Sequence, residues 1–312
     1  MSRTVNGERF FDDTAKDILR RQLWQIADYC GVQIITYAVM SNHFHVLVRV
    51  SQKTAVDDRE LLRRYHVLYP RPTKYQSARL EVIEGQLKKN GPDAEAWRKQ
   101  QTALMGDVSQ FMKLLKQRFS IWFDRMHGRF GPVWADRFKS VLVEGKRNIL
   151  ATMAAYIDLN CVRAGLADDP KDYRFCGYAE AVAGNKSAQS GLSAIFCAKN
   201  TIAWRGVQED YRLILFGSGA GPRQDKRAIS PEALEKVARE KGSLPLADIL
   251  RCRVRYFTDG AVLGTKAFVL GQLALYKRRN GLCKRTAPRA LPDVTDWGGM
   301  MTLRGMRKKP FG

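Results

Sequence analysis

Between Ile34 and Val50 the chain reads IITYAVMSNHFHVLVRV, two apolar, β-branched runs interrupted only by the polar break at Ser41 and Asn42. β-branched side chains are stiff at χ1 and suit a pleated surface, and a short polar break between two such runs closes a hairpin. The stretch therefore commits the chain to an antiparallel pair, Val32 to Val39 with His43 to Val50. Side chains alternate faces along a strand, so His43 and His45 point one way and Phe44 the other. Two of the four histidines in the chain thus stand side by side. Adjacent imidazoles make half of a metal site. The same pattern also suits two surface histidines on a half-exposed strand, so a partner is needed elsewhere in the chain.

The segments around the hairpin predict an α+β fold. From Asp12 to Tyr29 the apolar positions Ile18, Leu19, Leu23, Ile26 and Ala27 fall on one helical face, and Gly31 suits the position just past the end. Residues 54–105 are charged and interrupted by YPRP and NGPD, like a helical insertion. VSQFMKLLKQRFSIWF (108–123) predicts an amphipathic helix with Lys113, Lys116 and Arg118 on the polar face. PVWADRFKSVLVE (132–144) reads as a strand, and Arg147 to Arg163 as a helix closed by Gly165. Helix, strand, strand, helix, strand, helix suggests helices on one face of an antiparallel sheet.

Charge narrows the partner. The 312 residues carry a formal net charge of +22, with a pI near 10, and contain no long apolar segment. Such a field favours a polyanion, most simply nucleic acid, and no membrane partner is expected. The six cysteines are scattered without a C-x-x-C pair, which predicts a reduced intracellular protein. The start MSRTVNGERFF has no signal core, so a cytoplasmic, nucleoid-associated location is expected. Nothing in the sequence chooses between a monomer and a homodimer.

The helix at 147–163 supplies a partner for the histidines. Thr152, Tyr156 and Asn160 recur every fourth residue as a polar stripe beside an apolar stripe of Ile149, Met153 and Ile157. A tyrosine at helical spacing is often a packing residue. A phenol, with its ordinary pKa of about 10, attacks poorly unless a cation sits near the group attacked.

NHFHVLV on a strand, FMKLLKQRF on a basic helix, then VWADRFKSVLVE and AAYIDLNCVRAGL resemble, in that order, the HUH single-tyrosine transposases, in particular the REP-associated tyrosine transposases of bacteria. The resemblance covers roughly residues 3 to 180. It implies a ferredoxin-like or RRM-like antiparallel sheet. It implies a divalent metal, Mg or Mn, held by His43 and His45 with Asn160 completing the site. Tyr156 would attack a single-stranded DNA phosphate, leaving a 5′-phosphotyrosine that a second 3′-hydroxyl resolves. The implied activity is nicking and strand transfer on single-stranded or hairpin-forming repeat DNA. Two departures stand out. The family has a strand upstream of SRTVNGERFF, so the true start is expected before Met1, and Cys161 stands where the family commonly has proline. A binder of structured single strands that does not cut, and a metal nuclease that uses water, are the competing readings.

DNA contact is expected from Arg118, Arg125, Arg137, Lys139 and Arg163, with Trp122, Trp134 and Phe138 interleaved. Aromatics packed inward with charges outward would produce the same alternation along 132–144. The organisation expected is a catalytic domain over 1–180, a connecting segment and linker over 181–229, a small all-α domain with a helix–turn–helix over 230–290, and a basic tail over 291–312. Residues 221–312 hold 20 Lys plus Arg against 8 Asp plus Glu, which is +12 of the +22. The helix pair there suits a duplex or hairpin, although helices of this kind also serve packing or oligomerisation.

Overall fold

Helix α1 (Asp13–Cys30) begins where Asp12 accepts from the Ala15 N–H at 2.7 Å and ends at Gly31, whose φ of 64° lies in the left-handed region. Its buried face, including Ala15, Leu19, Leu23, Ile26 and Ala27, has the expected periodicity. The computed structural model describes residues 1–51, 55–70, 79–143, 145–196, 204–220 and 227–244, and beyond these only 262–264, 267, 270–271, 273–275, 278, 289–290 and 301–303.

The hairpin forms as the sequence predicts. Strand β2 (Val32–Val39) pairs antiparallel with β3 (His43–Val50) from Val39 opposite Phe44 to Val32 opposite Val50, with an irregularity between Ile34 and Thr36. A short β1 (Ser2–Arg3) lies on the other side of β3, placing Arg3 opposite His43 and Ser2 opposite Phe44, so the sheet order is β1-β3-β2. The segment expected as a strand over 132–144 forms no strand among its described residues and instead runs beside β1 with bends at Val133 and at residues 135–137. Val5 N–H donates to Val133 O, Ala135 N–H to Arg3 O, and Met1 and Lys139 exchange bonds at 2.9 Å, around a single bridge at Thr4 and Trp134. Past Lys139 it leaves this edge, and Val141 and Leu142 are fully open to solvent. A strand needs a partner edge to satisfy its amides, and β1 offers one of only two residues.

Helices cover both faces of this sheet, which corrects the expectation of one. Tyr37 and Phe44, both fully buried, face α1 and α5 (Val108–His127): Trp24 meets Tyr37 edge-on, and Phe44 and Phe11 both pack on Trp134 beside Phe119. On the opposite face Thr36 donates to the buried Asp158 carboxylate at 2.8 Å, bringing in α6 (Arg147–Asp158). The backbone comes so close there that a Cβ on Gly191 would lie 2.2 Å from Ile34 O. The signal was present in VQIITYAV, where almost every residue is apolar, because a strand covered on one side alternates while one covered on both does not.

The insertion is helical as expected: α2 (Asp58–Leu68), α3 (Leu80–Lys89) and α4 (Pro92–Thr102) enclose a small core of Tyr65, Ile83, Leu87 and Ala94. Arg63 pairs with Asp28, and Tyr29 donates to Gln101, which fastens it to α1. After α6 the chain breaks at Leu159 and resumes as α7 (Asn160–Arg163), then α8 (Gly177–Val182) and α9 (Lys186–Phe196), α10 (Trp204–Gly219) and α11 (Pro231–Arg239). Contacts divide the chain into two units, one of Met1–Cys161, Phe175–Gly177 and Ser190–Asn200, the other of Val162–Arg174, Tyr178–Gln189 and Thr201–Gly312. In the second, Arg212 forms a two-pronged pair with Asp169 and meets the Tyr178 hydroxyl.

Within 181–229, expected as a connecting segment and linker, α9 and α10 form, and Val207, Tyr211 and Leu215 sit at four-residue spacing on the buried face of α10. The C-terminal part is not all-α, because β4 (Val262–Gly264), β5 (Arg289–Ala290) and β6 (Met301–Leu303) form a sheet of order β4-β6-β5. Its strands are two or three residues long and pair across long separations, so no local periodicity announces them. Much of the expected helix–turn–helix domain over 230–290, residues 221–226 of the expected linker and most of the basic tail over 291–312 lie outside the described residues. Among the described residues no helix is long and apolar enough to cross a membrane.

Candidate active site

The site grows from the turn at Ser41 and Asn42. Asn42 O accepts from both the N–H and the hydroxyl of Thr4, at 2.9 and 3.0 Å, and its side-chain amide donates to Gly7 O at 2.9 Å. That donation turns Oδ1 toward His43, whose Nδ1 lies 2.7 Å away. Nδ1 therefore carries the proton, and Nε2 keeps its lone pair. A hydrogen bond of this kind fixes both the tautomer and the orientation of an imidazole ring. Asn42 was missed in the sequence reading, although its place directly before His-x-His was the available clue.

His43 and His45 share one face of β3 with ring centroids 5.2 Å apart and planes nearly perpendicular. Burial, then the Arg3 guanidinium opposite, then the amino terminus together hold the His43 pKa below its ordinary value. Each acts against the charged imidazolium, so the ring stays neutral and able to ligate at neutral pH. Arg3 is the second residue the sequence reading missed, since only the β1–β3 register brings it opposite His43.

Tyr156 arrives from α6. Ala151, Ala154 and Ala155 are buried, and their small side chains let this helix approach the sheet, while Asp158 anchors its end through Thr36. The Tyr156 ring stands 6.1 Å from His45, nearly perpendicular to it, and is 40% exposed. Asn160 lies one turn later, where its Nδ2 donates to Tyr156 O and Ile157 O, both at 3.1 Å. It closes the end of α6.

Among the described residues no cluster of three or more His, Cys, Asp or Glu is placed to hold a metal. The candidate donors are the two imidazoles of β3 and, one turn after Tyr156 on the chain, the Asn160 amide oxygen. This set fits a divalent ion that brings the rest of its shell as phosphate oxygen and water, and Mg or Mn would take those oxygens readily.

The expected DNA-contacting residues separate. Arg125 is exposed on α5, and Arg137 and Lys139 are exposed on the segment beside β1. Arg118 is half-buried, donates to Leu68 O at 3.1 Å and lies over the Tyr69 ring, so it fastens the insertion to α5. Arg163 ends α7 and belongs to the second unit. Compared with known proteins, the chain matches no family model, no curated protein and no solved structure.

Proposed function

We propose that the protein is a metal-dependent enzyme of the HUH single-tyrosine kind, which nicks single-stranded DNA and transfers the strand through a covalent link to Tyr156. The observation that carries this reading is the meeting of an exposed tyrosine and two adjacent histidines, His43 and His45, from segments over 100 residues apart.

His43 and His45 would hold Mg or Mn, with Asn160 as a third donor. A bound ion would draw charge from a phosphate oxygen and so ease attack at phosphorus. The Tyr156 hydroxyl attacks the phosphorus, the new P–O bond forms, the P–O3′ bond breaks, and the departing 3′-oxygen takes up a proton as the phenol loses its own to water. The product is a 5′-phosphotyrosine. A second 3′-hydroxyl reverses the chemistry and releases the tyrosine, so strand transfer needs no nucleoside triphosphate. Asn42 keeps His43 in one tautomer, and Asp158 keeps Tyr156 at the sheet. A substrate of hairpin-forming repeats and a DNA-gripping role for the C-terminal basic region belong to the same proposal.

The deciding experiment mixes protein, Mg or Mn, and an end-labelled single strand or hairpin, then separates the products under denaturing conditions. The native protein is expected to give a denaturant-stable protein–DNA adduct and Tyr156→Phe none, with folding and DNA binding intact. Free 5′-phosphate ends without adduct would favour a water-using nuclease. Binding without cleavage would favour a non-cutting binder.

A further inference from the structure

Arg3 shares a face of the sheet with the two histidines. Directly opposite residues of an antiparallel pair point the same way, and Arg3 stands opposite His43 while Ser2 stands opposite Phe44. Burial follows the same alternation: Ser2 and Thr4 are buried and Arg3 between them is exposed. The pairing is also of the closer kind. Thr4 N–H donates to Asn42 O toward β3, whereas Arg3 O accepts from Ala135 N–H on the far side of β1. Residues 3 and 43 are therefore a non-hydrogen-bonded pair, whose Cα atoms stand about 4.5 Å apart in a regular sheet. At the other end of the site, Tyr156 meets His45. Among the described residues no carboxylate pairs with Arg3.

A guanidinium beside two imidazoles works against a cation bound there alone, because like charges repel. A phosphate reverses the sign of that argument. Its oxygens are attracted both by an ion on the histidines and by the arginine fork, which suits phosphate geometry. We propose that Arg3 is a phosphate-binding residue of the site, its guanidinium donating to a non-bridging oxygen of the DNA phosphate held at the His43 end, with Tyr156 at the His45 end. The inference rests on the single-stranded DNA reading and names the side chain that grips the reacting strand. None of the basic residues expected from the sequence stands on β1, and Arg3 reaches the histidines only through the β1–β3 register.

The test uses the full-length chain carrying Tyr156→Phe, so that DNA is bound and not consumed, with labelled oligo(dT) as one probe and Mn alone as the other. Arg3→Gln is expected to weaken oligo(dT) binding roughly 5- to 50-fold and to lower the slope of log affinity against log salt by about 0.7, one phosphate contact on a single strand. Arg3→Lys is expected to restore the slope and part of the affinity, since it keeps the charge and loses the fork. Mn affinity without DNA is expected to hold or rise in Arg3→Gln, because a positive charge beside the ligands is gone. Damage to β1 would instead disturb His43 and lower Mn and DNA binding together. Lys89→Ala, exposed at the end of α3, removes one charge elsewhere and is expected to stay within twofold of the parent. The Arg3 side chain is exposed and β1 bonds through its backbone, so both Arg3 variants retain the fold, which circular dichroism checks. Oligo(dT) affinity of Arg3→Gln within twofold of the parent, an equal loss in Lys89→Ala, or a parallel fall in Mn affinity overturns the assignment, while the parent's binding and the native protein's adduct preserve the functional reading. Failure of the parent to bind oligo(dT) overturns both.

Discussion

The hairpin β2–β3 and the segment over 132–144 look alike in the sequence and differ in the fold. Both are rich in β-branched and aromatic residues, and charge alternates with them only in the second. In the hairpin each strand has a neighbour, and β2 is buried along nearly its whole length. The 132–144 segment has an edge to follow only as far as Lys139, and Val141 and Leu142 then lie in open solvent. Composition gives a segment the capacity to be a strand, and an available row of partner amides decides whether it becomes one. The chemistry follows the same division. The imidazoles stand on the braced strand, whereas Arg137 and Lys139 stand on the segment with the smaller edge, so under the proposed function the first would hold a ligand in fixed geometry and the second would contact phosphates adaptably.

The strongest way to break this contrast is to cut into each region equally. Phe44→Ala removes a fully buried ring between α1, α5 and Trp134, and is expected to lower unfolding free energy by about 3–5 kcal/mol in urea titration. Leu142→Ala is expected to stay within about 0.5 kcal/mol of the native chain. Comparable losses would mean that Leu142 is covered in solution.

A smaller effect is expected where the backbone meets the hairpin from outside. Gly191→Ala forces a Cβ against Ile34 O, and overpacking of this kind costs about 1–3 kcal/mol. Hydrogen exchange should then speed up in β2, with residues 140–143 already fast in the native chain. A neutral outcome would place the β2 face at greater distance from the helix.

Asn42→Ala tests the turn and the metal together. It frees the Gly7 carbonyl and the His43 Nδ1, so a loss of about 1–2 kcal/mol is expected in thermal unfolding. Loss of such an orienting partner typically weakens metal affinity about 10- to 100-fold, which Mn titration would read. Unchanged Mn affinity would show that Asn42 serves the turn alone.

The mildest lever is pH. The folded His43 pKa lies below its ordinary 6.5, so as pH falls the unfolded chain takes up a proton first. Stability should hold steady above the ordinary value and decline below it, until the folded pKa is passed. Urea midpoints measured at neutral pH and near pH 5 should therefore differ less in His43→Gln than in the native chain. An identical decline in both would assign the effect to other groups.

How much of this was legible beforehand depended on distance along the chain. Residues three, four or two positions apart report a helix face or a strand face directly, which is why both hairpin strands matched their expected spans, α1 lies within a residue of its own, and α5 starts where expected and runs on to His127. The same local logic put His43 and His45 on one face. A helix at 186–196 and another at 204–219 obeyed that logic too, with Ala188, Leu192 and Ile195 at the right spacing, and went unread inside a region taken as linker.

The sequence by itself determined that a hairpin would carry paired imidazoles, that a later helix would offer Tyr156, and that the surface would be strongly basic. Only the tertiary structure decided that α6 lies against the histidine face, that Asn42 orients His43 while Arg3 stands opposite it, and that the described part of 132–144 makes a single bridge, at Trp134, and no strand. These outcomes rest on strand register and on which edges and faces are already occupied. Such facts join residues tens of positions apart, and the side-chain period of a single segment carries no record of them.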